Sequence, residues 1–264
     1  FLELHRPGKP LLLPNAWDVG SARILASLGF EALATTSSGH AATLGLLDGS
    51  VTRDQALAHA AQLVAATELP VSADLENGFA DEPAEVGRTI SLAREAGLAG
   101  CSVEDFAGDP SDPIYPVEVA VERVAAAAQA AHEGPVPLVL TARAENHIHG
   151  RDDLGDTISR LQAYQQAGAD VLYAPGLTRR EHIRELLNAV QRPLNVLARP
   201  GAPPVDELAE LGVSRISVGG AFAFAALGTL VEAARELRDQ GSYGFLERAR
   251  IGSTSATNAF QRRP

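Results

Sequence analysis

The chain has 264 residues, of which 45% are hydrophobic and 21% charged, a composition typical of a folded globular protein. Its formal net charge of −11 argues against a nucleic-acid or anionic-membrane partner, because both require a basic protein surface. A single cysteine, Cys101, excludes an internal disulfide and a multi-cysteine zinc site, and it fits a reducing, cytoplasmic location. No uncharged apolar stretch reaches the length of about 18 residues that would predict a membrane span.

Short apolar segments recur eight times along the chain, mostly bounded by Gly, Pro or polar residues. Such segments are typical of parallel strands that are buried on both faces. Between them lie Ala-, Leu- and Glu-rich segments whose apolar residues have helical spacing. The predicted strands cover residues 11–14, 32–36, 71–76, 100–105, 138–144, 171–174, 194–198 and 215–218. The predicted helices include residues 53–67, 83–96, 116–132, 152–167 and 179–190.

The predicted helices begin and end with the residues preferred there. Pro83 and Pro116 stand in first turns, where proline is tolerated, and Gly97, Gly168 and Gly212 stand at C-caps. Repeated strand–helix units predict a parallel sheet with right-handed crossovers. Eight units in about 220 residues favour an α/β fold of the (β/α)8 TIM-barrel type, formed as one domain. No phosphate-binding glycine motif opens a helix, which argues against a nucleotide-binding fold.

Residues 221–264 follow the eighth strand, and their pattern predicts a C-terminal helical extension. Residues 221–240 have the pattern of one helix and residues 243–251 that of a shorter one. The remaining segment, 252–264, is polar and is expected to be loose or to depend on a partner. The extension therefore either caps the barrel or packs as an arm on a neighbouring subunit.

Three acidic segments, SADLE, SVED and TARAE, end the third, fourth and fifth predicted strands. Catalytic groups of a parallel barrel come from these ends, and strand alternation turns Asp74, Glu76, Glu104 and Arg143 toward one interior. Converging carboxylates are costly to bury unless they share a proton or a cation, and Mg²⁺ suits an all-oxygen site. The pattern predicts a metal site of Asp74, Glu76 and Glu104, with Arg143 for an anionic substrate. The alternative is that the acids cap the helices that follow.

Polar residues after other strands are further candidates. Ser38 and Gly39, in TTSSGHA, would form an anion or oxyanion hole after the second strand. Asp48 follows on the same loop and is either a residue of the site or an aspartate that stabilises a turn or a helix N-terminus. His147, just beyond Arg143, would be an acid or base at the barrel opening or a solvated loop histidine. Asn195, in the seventh strand, would contact substrate or be a satisfied polar group.

Six motifs occur in one order along residues 11–220: PNAWD, TTSSG, LG…DG, ADLE, VED and AR. In this combination the chain resembles the isocitrate lyase/phosphoenolpyruvate mutase superfamily and is similar to its phosphonomutase-like members. The resemblance implies a barrel that binds Mg²⁺, with Mn²⁺ as the alternative, and a small α-keto or enolpyruvate-type carboxylate. It also implies a homo-oligomer, a dimer or tetramer, in which the C-terminal helix is exchanged between subunits.

The resemblance also implies roles for individual residues. Asp74 would be the closest metal ligand, while Glu76 and Glu104 would hold metal-bound waters. Glu76 stands where many members have aspartate, and its longer side chain would shift the metal or remove one water. Asp48 would lie near the metal and the reacting bond.

The same resemblance assigns the substrate contacts. Ser38 and Gly39 would bind the carboxylate or enolate oxygen, and Arg143 would pair with the other substrate oxygens. The shared chemistry is stabilisation of an enolpyruvate oxyanion by Mg²⁺ and arginine while a bond to its carbon breaks or forms.

The chain departs from the family in the loop after the fourth strand. Family lyases carry a Lys-x-Cys-Gly-His loop there, whereas this chain has EDFAGDPSDPIYP. Cys101 cannot replace the missing cysteine, because strand alternation turns it away from Glu104. The lysine and asparagine of the phosphonomutase gating loop are also missing. Residues 106–116 are therefore an acid- and proline-rich lid of this chain's own, or a tolerated surface insertion.

The residues and the resemblance together predict a Mg²⁺-dependent lyase or decarboxylase that acts on a C–C bond of a small α-keto or enolpyruvate-type acid. A phosphonomutase or phosphonopyruvate hydrolase acting on a P–C bond is the alternative. A third possibility, from another functional class, is a non-catalytic barrel that serves as a binding module. The acidic pocket argues against it, because a binding module would not need one.

Overall fold

A computed structural model describes residues 1–261 of the chain. Parallel strands alternate with helices and form one sheet that is nearly closed into a barrel. The strands are β1 Leu11–Leu13, β2 Asn15–Ala16, β3 Leu33–Thr35, β4 Val71–Asp74, β5 Gly100–Glu104, β6 Val139–Arg143, β7 Val171–Tyr173, β8 Leu194–Leu197 and β9 Arg215–Ser217. The helices are α1 Val19–Ser27, α2 Ser37–Thr43, α3 Arg53–Val64, α4 Pro83–Glu95, α5 Val117–His132, α6 Leu154–Gln166, α7 Arg180–Ala189, α8 Val205–Leu211, α9 Ala221–Arg235 and α10 Leu246–Gln261. The predicted (β/α)8 TIM-type fold is confirmed.

The sheet has nine strands rather than the eight predicted, because a second short strand, β2, follows β1 directly after Pro14. Proline has no N–H to donate to a neighbouring strand, although its carbonyl still accepts from Ala34. β1 pairs with β9, at one end of the sheet order, and β2 pairs with β3, at the other. β1 and β2 follow each other along the chain but pair at opposite ends of the sheet order. They therefore bring the two ends together, and the barrel is nearly closed.

Local sequence signals set the helix ends. α1 and α3 both begin with capping boxes, formed by Asp18 with Ser21 and by Thr52 with Gln55. α8 ends at Gly212, whose φ of +96° is the left-handed conformation that glycine adopts without strain. These short-range signals account for the agreement between the predicted and observed bounds of the central helices.

The apolar core lies between the sheet and the surrounding helices. Large, fully buried side chains there include Leu63, Ile90, Leu140 and Leu186. By contrast, polar side chains point into the centre of the barrel, a place commonly filled by branched apolar residues. These polar side chains include Ser72, Thr141, Asn195, Arg215 and Ser217.

The C-terminal extension differs from its prediction. α9 ends at Arg235 and is continued by a π-helical turn over Glu236–Gln240, and α10 begins at Leu246, three residues later than predicted. The expectation of a loose tail is wrong for residues 252–261, which belong to α10; residues 262–264 lie outside the described residues. α10 packs against α1, where Phe260 approaches Gly20 and Ala259 is buried. No described helix is both long and apolar enough to cross a bilayer.

Candidate active site

The carboxyl ends of the strands surround a cavity of about 160 Å³, here called the barrel pocket. Strand ends and the loops that follow them supply its walls, as expected for a parallel barrel. Five of the predicted site residues line it: Ser38, Asp48, Asp74, Arg143 and Asn195. The other predicted residues lie behind or beside this lining.

Arg143 is the centre of the site. It ends β6, and its guanidinium contacts three carboxylates: Asp74 at 3.0 Å, Glu104 at 3.0 Å and Glu145 at 2.8 Å. The Tyr173 ring lies 5.2 Å from the guanidinium carbon. Because a guanidinium has five N–H donors, these three bonds leave donors for a substrate oxygen.

The carboxylates around Arg143 are costly to ionise in this position. Burial raises the pKa of Glu104 well above its usual value, and Arg143 offsets part of that rise. Burial raises the pKa of Glu145 in the same way, again with Arg143 opposing it. Burial has the largest effect on Arg143 and lowers its pKa, but the attractions of Glu104, Glu145 and Asp74 together raise the pKa of the guanidinium. Each group is therefore more readily charged with its partner present than it would be alone.

Asp74 is the carboxylate that is fixed most directly at the pocket wall. It ends β4, and its backbone N–H donates to Thr35 Oγ1 at 2.8 Å. Its Oδ1 accepts from Arg143, and its Oδ2 accepts from the Ser37 N–H at 3.4 Å. Both carboxylate oxygens are therefore held in place at the wall of the pocket.

Strand alternation fails to place Glu76. β4 ends at Asp74, and Glu76 adopts a φ of +48°, so the inference that alternation carries it into the barrel is wrong. Glu76 lines a small side cavity with His40 and His59, whose rings stack 3.8 Å apart. Burial, then the charges of Asp74 and Asp48, raise the pKa of Glu76 to about 7.

Asp48 lies on the loop before α3, at the rim of the barrel pocket. Desolvation raises its pKa, while a hydrogen bond with the Ser37 side chain lowers it. The charge of Asp74 is the next contribution and raises the pKa further. Asp48 therefore adds a fourth carboxylate to the electrostatic neighbourhood of Arg143.

The donor set fits a hard divalent cation. Five carboxyl groups lie in the electrostatic neighbourhood of a single guanidinium, more than it can pair with: Asp48, Asp74, Glu76, Glu104 and Glu145. Among residues 1–261, however, no three His, Cys, Asp or Glu side chains converge closely enough to form a ready-made cage. Mg²⁺ is commonly bound by one or two carboxylates and completed by waters, so this arrangement is compatible with it. Asp74 is the carboxylate best placed for direct contact.

Ser38 and Gly39 have different surroundings. The Ser38 hydroxyl lies in the pocket wall and is 3.2 Å from Thr36 Oγ1. Gly39 is buried in α2, and its N–H is within 3.3 Å of the same Thr36 oxygen. A Cβ at residue 39 would lie 3.1 Å from the Cβ of Trp17, so glycine is also required there for packing.

His147 points away from the barrel pocket. Its Nδ1 is 3.0 Å from Asp152 and its Nε2 is 2.9 Å from Thr157 of α6. Burial lowers its pKa, which favours the neutral ring. Both ring nitrogens are therefore engaged on the helix side.

Asn195 is fixed at the base of the pocket by two side chains. Its Nδ2 donates to Ser217 Oγ at 2.9 Å, and its Oδ1 accepts from Arg215 Nε at 3.0 Å. Arg215, Ser217 and Tyr173 line the same pocket and are absent from the sequence-based site. Alternation along "RIS" and "VLY" at the strand ends is the signal that could have identified them.

The lid over residues 106–116 is tied to the loop after β6. Phe106 pairs with Ile114 across the lid, and the Phe106 ring stacks on His149 at 4.2 Å. Arg151 donates to Asp112 at 2.6 Å near the exposed tip. The lid has no cysteine, lysine or histidine, as noted from the sequence. Cys101 faces the helices as predicted, since it is fully buried in the apolar core.

The comparisons with known proteins agree with this geometry. The family model described as phosphoenolpyruvate phosphomutase matches residues 1–238. A crystal structure from Burkholderia cenocepacia J2315, described as a lyase/mutase, is 52% identical, covers 98% of this chain and 94% of its own, and has a TM-score of 0.95.

Two further relatives act on known small acids, according to their names. The crystal structure of 2,3-dimethylmalate lyase is 27% identical, covers 97% of this chain and 95% of its own, and has a TM-score of 0.81. The oxaloacetate decarboxylase of Marinomonas sp. (strain MWYL1) is 29% identical, with 90% of this chain and 84% of that relative covered. The chain belongs to the phosphoenolpyruvate mutase/isocitrate lyase superfamily, whose enzymes act on C–C or P–C bonds of small acids.

Proposed function

We propose that the protein is a Mg²⁺-dependent lyase or decarboxylase that breaks a C–C bond of a small α-keto or enolpyruvate-type acid. The observation that carries the proposal is Arg143, which is held by Asp74, Glu104 and Glu145 at the wall of the barrel pocket. A pocket of about 160 Å³ is suited to a substrate of a few carbon atoms. The names of the two lyase-type relatives support a C–C bond.

The residues of this chain would act on the oxyanion that forms when the bond breaks. In a decarboxylase the other fragment leaves as CO2, and in a lyase it leaves as a carbonyl compound after its hydroxyl has lost a proton. The electron pair of the broken C–C bond becomes that of an enolate, whose carbon then takes up a proton. Arg143 retains N–H donors for the enolate oxygen, and the Ser38 hydroxyl lines the same wall. The carboxylates fix the guanidinium in place before the reaction, so little reorganisation is needed.

Asp74 would hold the Mg²⁺, with Glu76 and Glu104 positioned for its waters and Asp48 at the rim. When bound, the cation would supply Lewis-acid stabilisation of the same oxyanion. Mn²⁺, which prefers similar oxygen ligands, is the alternative metal.

A P–C bond is the second candidate, since the family model that matches is described as a phosphomutase. One experiment separates the two. Oxaloacetate, substituted malates, phosphonopyruvate and phosphoenolpyruvate are supplied with Mg²⁺, and release of pyruvate, a 2-keto acid or phosphate is followed. We expect turnover of a keto acid or malate. Turnover of phosphonopyruvate alone would replace the lyase proposal by the P–C alternative.

A non-catalytic binding module is the third candidate. Oxalate resembles an enolpyruvate oxyanion in shape and charge, and it tests whether the pocket is preserved for chemistry. Stabilisation against heat by Mg²⁺ and oxalate together supports the enzyme. If the pair gives no stabilisation and no substrate is turned over, the binding-module proposal is favoured.

We also propose a homo-oligomer, a dimer or tetramer, in a cytoplasmic setting. α9 and α10 expose large apolar side chains that a partner subunit would cover, among them Phe224, Leu230 and Ile251. Exchange of the C-terminal helix between subunits remains a prediction. Light scattering after size exclusion measures the mass directly, and a monomer at micromolar concentration would contradict the proposal.

A further inference from the structure

A second arginine lies beneath the site, at the base of the barrel. Arg215 begins β9, is 4% exposed and lines the barrel pocket from below. Its Nε donates to Asn195 at 3.0 Å, its Nη2 donates to Thr141 at 3.1 Å, and its Nη1 donates to His5 Nε2 at 3.3 Å. The structure therefore surrounds this buried cation with three side chains from distant parts of the chain.

All three partners of Arg215 within the described residues are neutral. Burial, then the charge of Arg215, lower the pKa of His5 to about 3, so its ring is uncharged near pH 7. Its Nδ1 donates to the Leu2 carbonyl, which leaves Nε2 as the acceptor for Arg215. Thr141 and Asn195 carry no charge.

A buried cation without a counter-ion is unusual. Moving a single charge from water into the protein interior costs on the order of several kcal/mol, unless an opposite charge compensates it. Burial lowers the pKa of Arg215 to about 10. The next largest effects on this pKa come from Tyr173 and Arg143, and neither of them is a carboxylate. By contrast, Arg143 has three carboxylates within 3.0 Å.

The pocket above Arg215 is polar and open to a ligand. Its lower wall includes Ser72, Ser102 and Ser217, whose hydroxyls are short hydrogen-bonding groups. A guanidinium with five donors uses three on its neutral partners, which leaves two N–H groups. Carboxylate binding by two parallel N–H bonds is the geometry that guanidinium favours.

We propose that Arg215 binds a carboxylate group of the substrate at the base of the barrel pocket. This inference rests on the proposed function in that the ligand is a small acid. It assigns to the substrate a second anionic end: one end lies against Arg143 and the acidic wall, and the other points down to Arg215. The ligand class is a dicarboxylate or a keto acid.

The test measures oxalate and malonate binding by calorimetry in EDTA, so that no divalent cation takes part. Three variants are compared with the wild type: Arg215→Met, Arg215→Lys and Arg123→Met. Arg123 is the matched control, because it is also buried but donates to the carbonyls of Asn77, Ala80 and Asp81 outside the pocket.

We expect Arg215→Met to lower the affinity for both anions at least tenfold. Its Tm should also fall, because Thr141, Asn195 and His5 lose their hydrogen-bond donor. Arg215→Lys keeps the charge and should bind better than the methionine variant. Arg123→Met strips three carbonyls of their donor, and it should lower Tm by about 5 °C or more without changing anion affinity.

Three results would overturn the proposal. These are wild-type protein that binds neither anion in EDTA, Arg215→Met that binds them as the wild type does, or Arg123→Met that loses as much anion affinity as Arg215→Met. The last result would make Arg215 a structural residue. A failure of the proposed function would be recognised separately. In that case no keto acid or malate would be turned over with Mg²⁺, while the protein would still bind the anions in EDTA.

Discussion

The wall and the base of the barrel pocket use the same residue type in opposite surroundings. At the wall, Arg143 contacts three carboxylates, and at the base Arg215 contacts only neutral groups. At the wall the guanidinium is already paired without a ligand, and the carboxyl groups outnumber it. At the base a positive charge remains uncompensated. The two arginines thus differ in what they require: the wall suits a cation and the base suits an anion.

The largest expected effect is at the wall. Asp74→Ala removes the carboxylate best placed for Mg²⁺, and we expect kcat/KM to fall by about 10³-fold or more. The fold should survive, because Asp74 ends β4 and faces the pocket rather than the apolar core. Steady-state kinetics and circular dichroism measure the two effects. Asp112→Ala, at the exposed lid tip, is the control with the same change of charge.

A variant with full activity after the loss of Asp74 would contradict the metal assignment. Loss of activity in Asp112→Ala to the same degree would instead indicate that net charge, not the site, matters.

Removing the cation of the wall should destabilise the protein. Arg143→Met leaves Asp74, Glu104 and Glu145 without their partner, and a broken buried ion pair costs about 3–5 kcal/mol. We expect the free energy of unfolding to fall by that amount, and by more than in Arg215→Met, which breaks only hydrogen bonds to neutral partners. Urea unfolding of the two variants side by side makes the comparison. Equal stability of the two would remove the distinction between wall and base.

Tyr173 lies between the two regions. Its ring faces Arg143, and its side chain lines the barrel pocket together with Ser217 and Arg215. Tyr173→Phe keeps the ring and deletes the hydroxyl, which should cost about 0.5–1.5 kcal/mol of stability. Because about 1.4 kcal/mol corresponds to tenfold, kcat/KM should fall by no more than about that factor if the tyrosine only supports the site. A loss of about 10³-fold would make its hydroxyl a reacting group.

The smallest effect is expected outside both regions. Burial raises the pKa of Cys101 to about 12, so its thiol stays protonated near pH 8 and is enclosed by the apolar core. A thiol reagent should not label the native protein within an hour and should label it fully in urea. Rapid labelling of native protein would show that the strands open more readily than the packing suggests.

Much of the fold follows from local signals. Apolar segments, mostly bounded by Gly, Pro or polar residues, identify every strand except β2, and their predicted bounds differ from the observed ones by a few residues at most. The tail is the exception, because "GSTSATNAFQ" is polar and its helix is stabilised by contact with α1 through Ala259 and Phe260. Such a contact joins residues more than 200 positions apart, and no local pattern reports it.

The site was predictable where the strands are regular. Asp74, Glu104 and Arg143 are strand residues, and alternation turns them inward toward one another. Glu76 is misplaced because the strand ends before it and its backbone turns to a positive φ. Alternation along "RIS" would have turned Arg215 inward, but its contact with His5, 210 residues earlier in a segment that had no predicted structure, could not be read from the sequence. Long-range polar contacts of this kind are set by the barrel, not by local sequence.

The most direct measurement is the affinity for oxalate with and without Mg²⁺, by calorimetry, in wild type and in Asp74→Ala. If the wall binds a divalent cation beside a small dicarboxylate, Mg²⁺ should raise the wild-type affinity at least tenfold, about 1.4 kcal/mol. Asp74→Ala should show the metal-free affinity under both conditions. An oxalate affinity of the wild type that is independent of Mg²⁺, or a full Mg²⁺ effect in Asp74→Ala, would contradict the account.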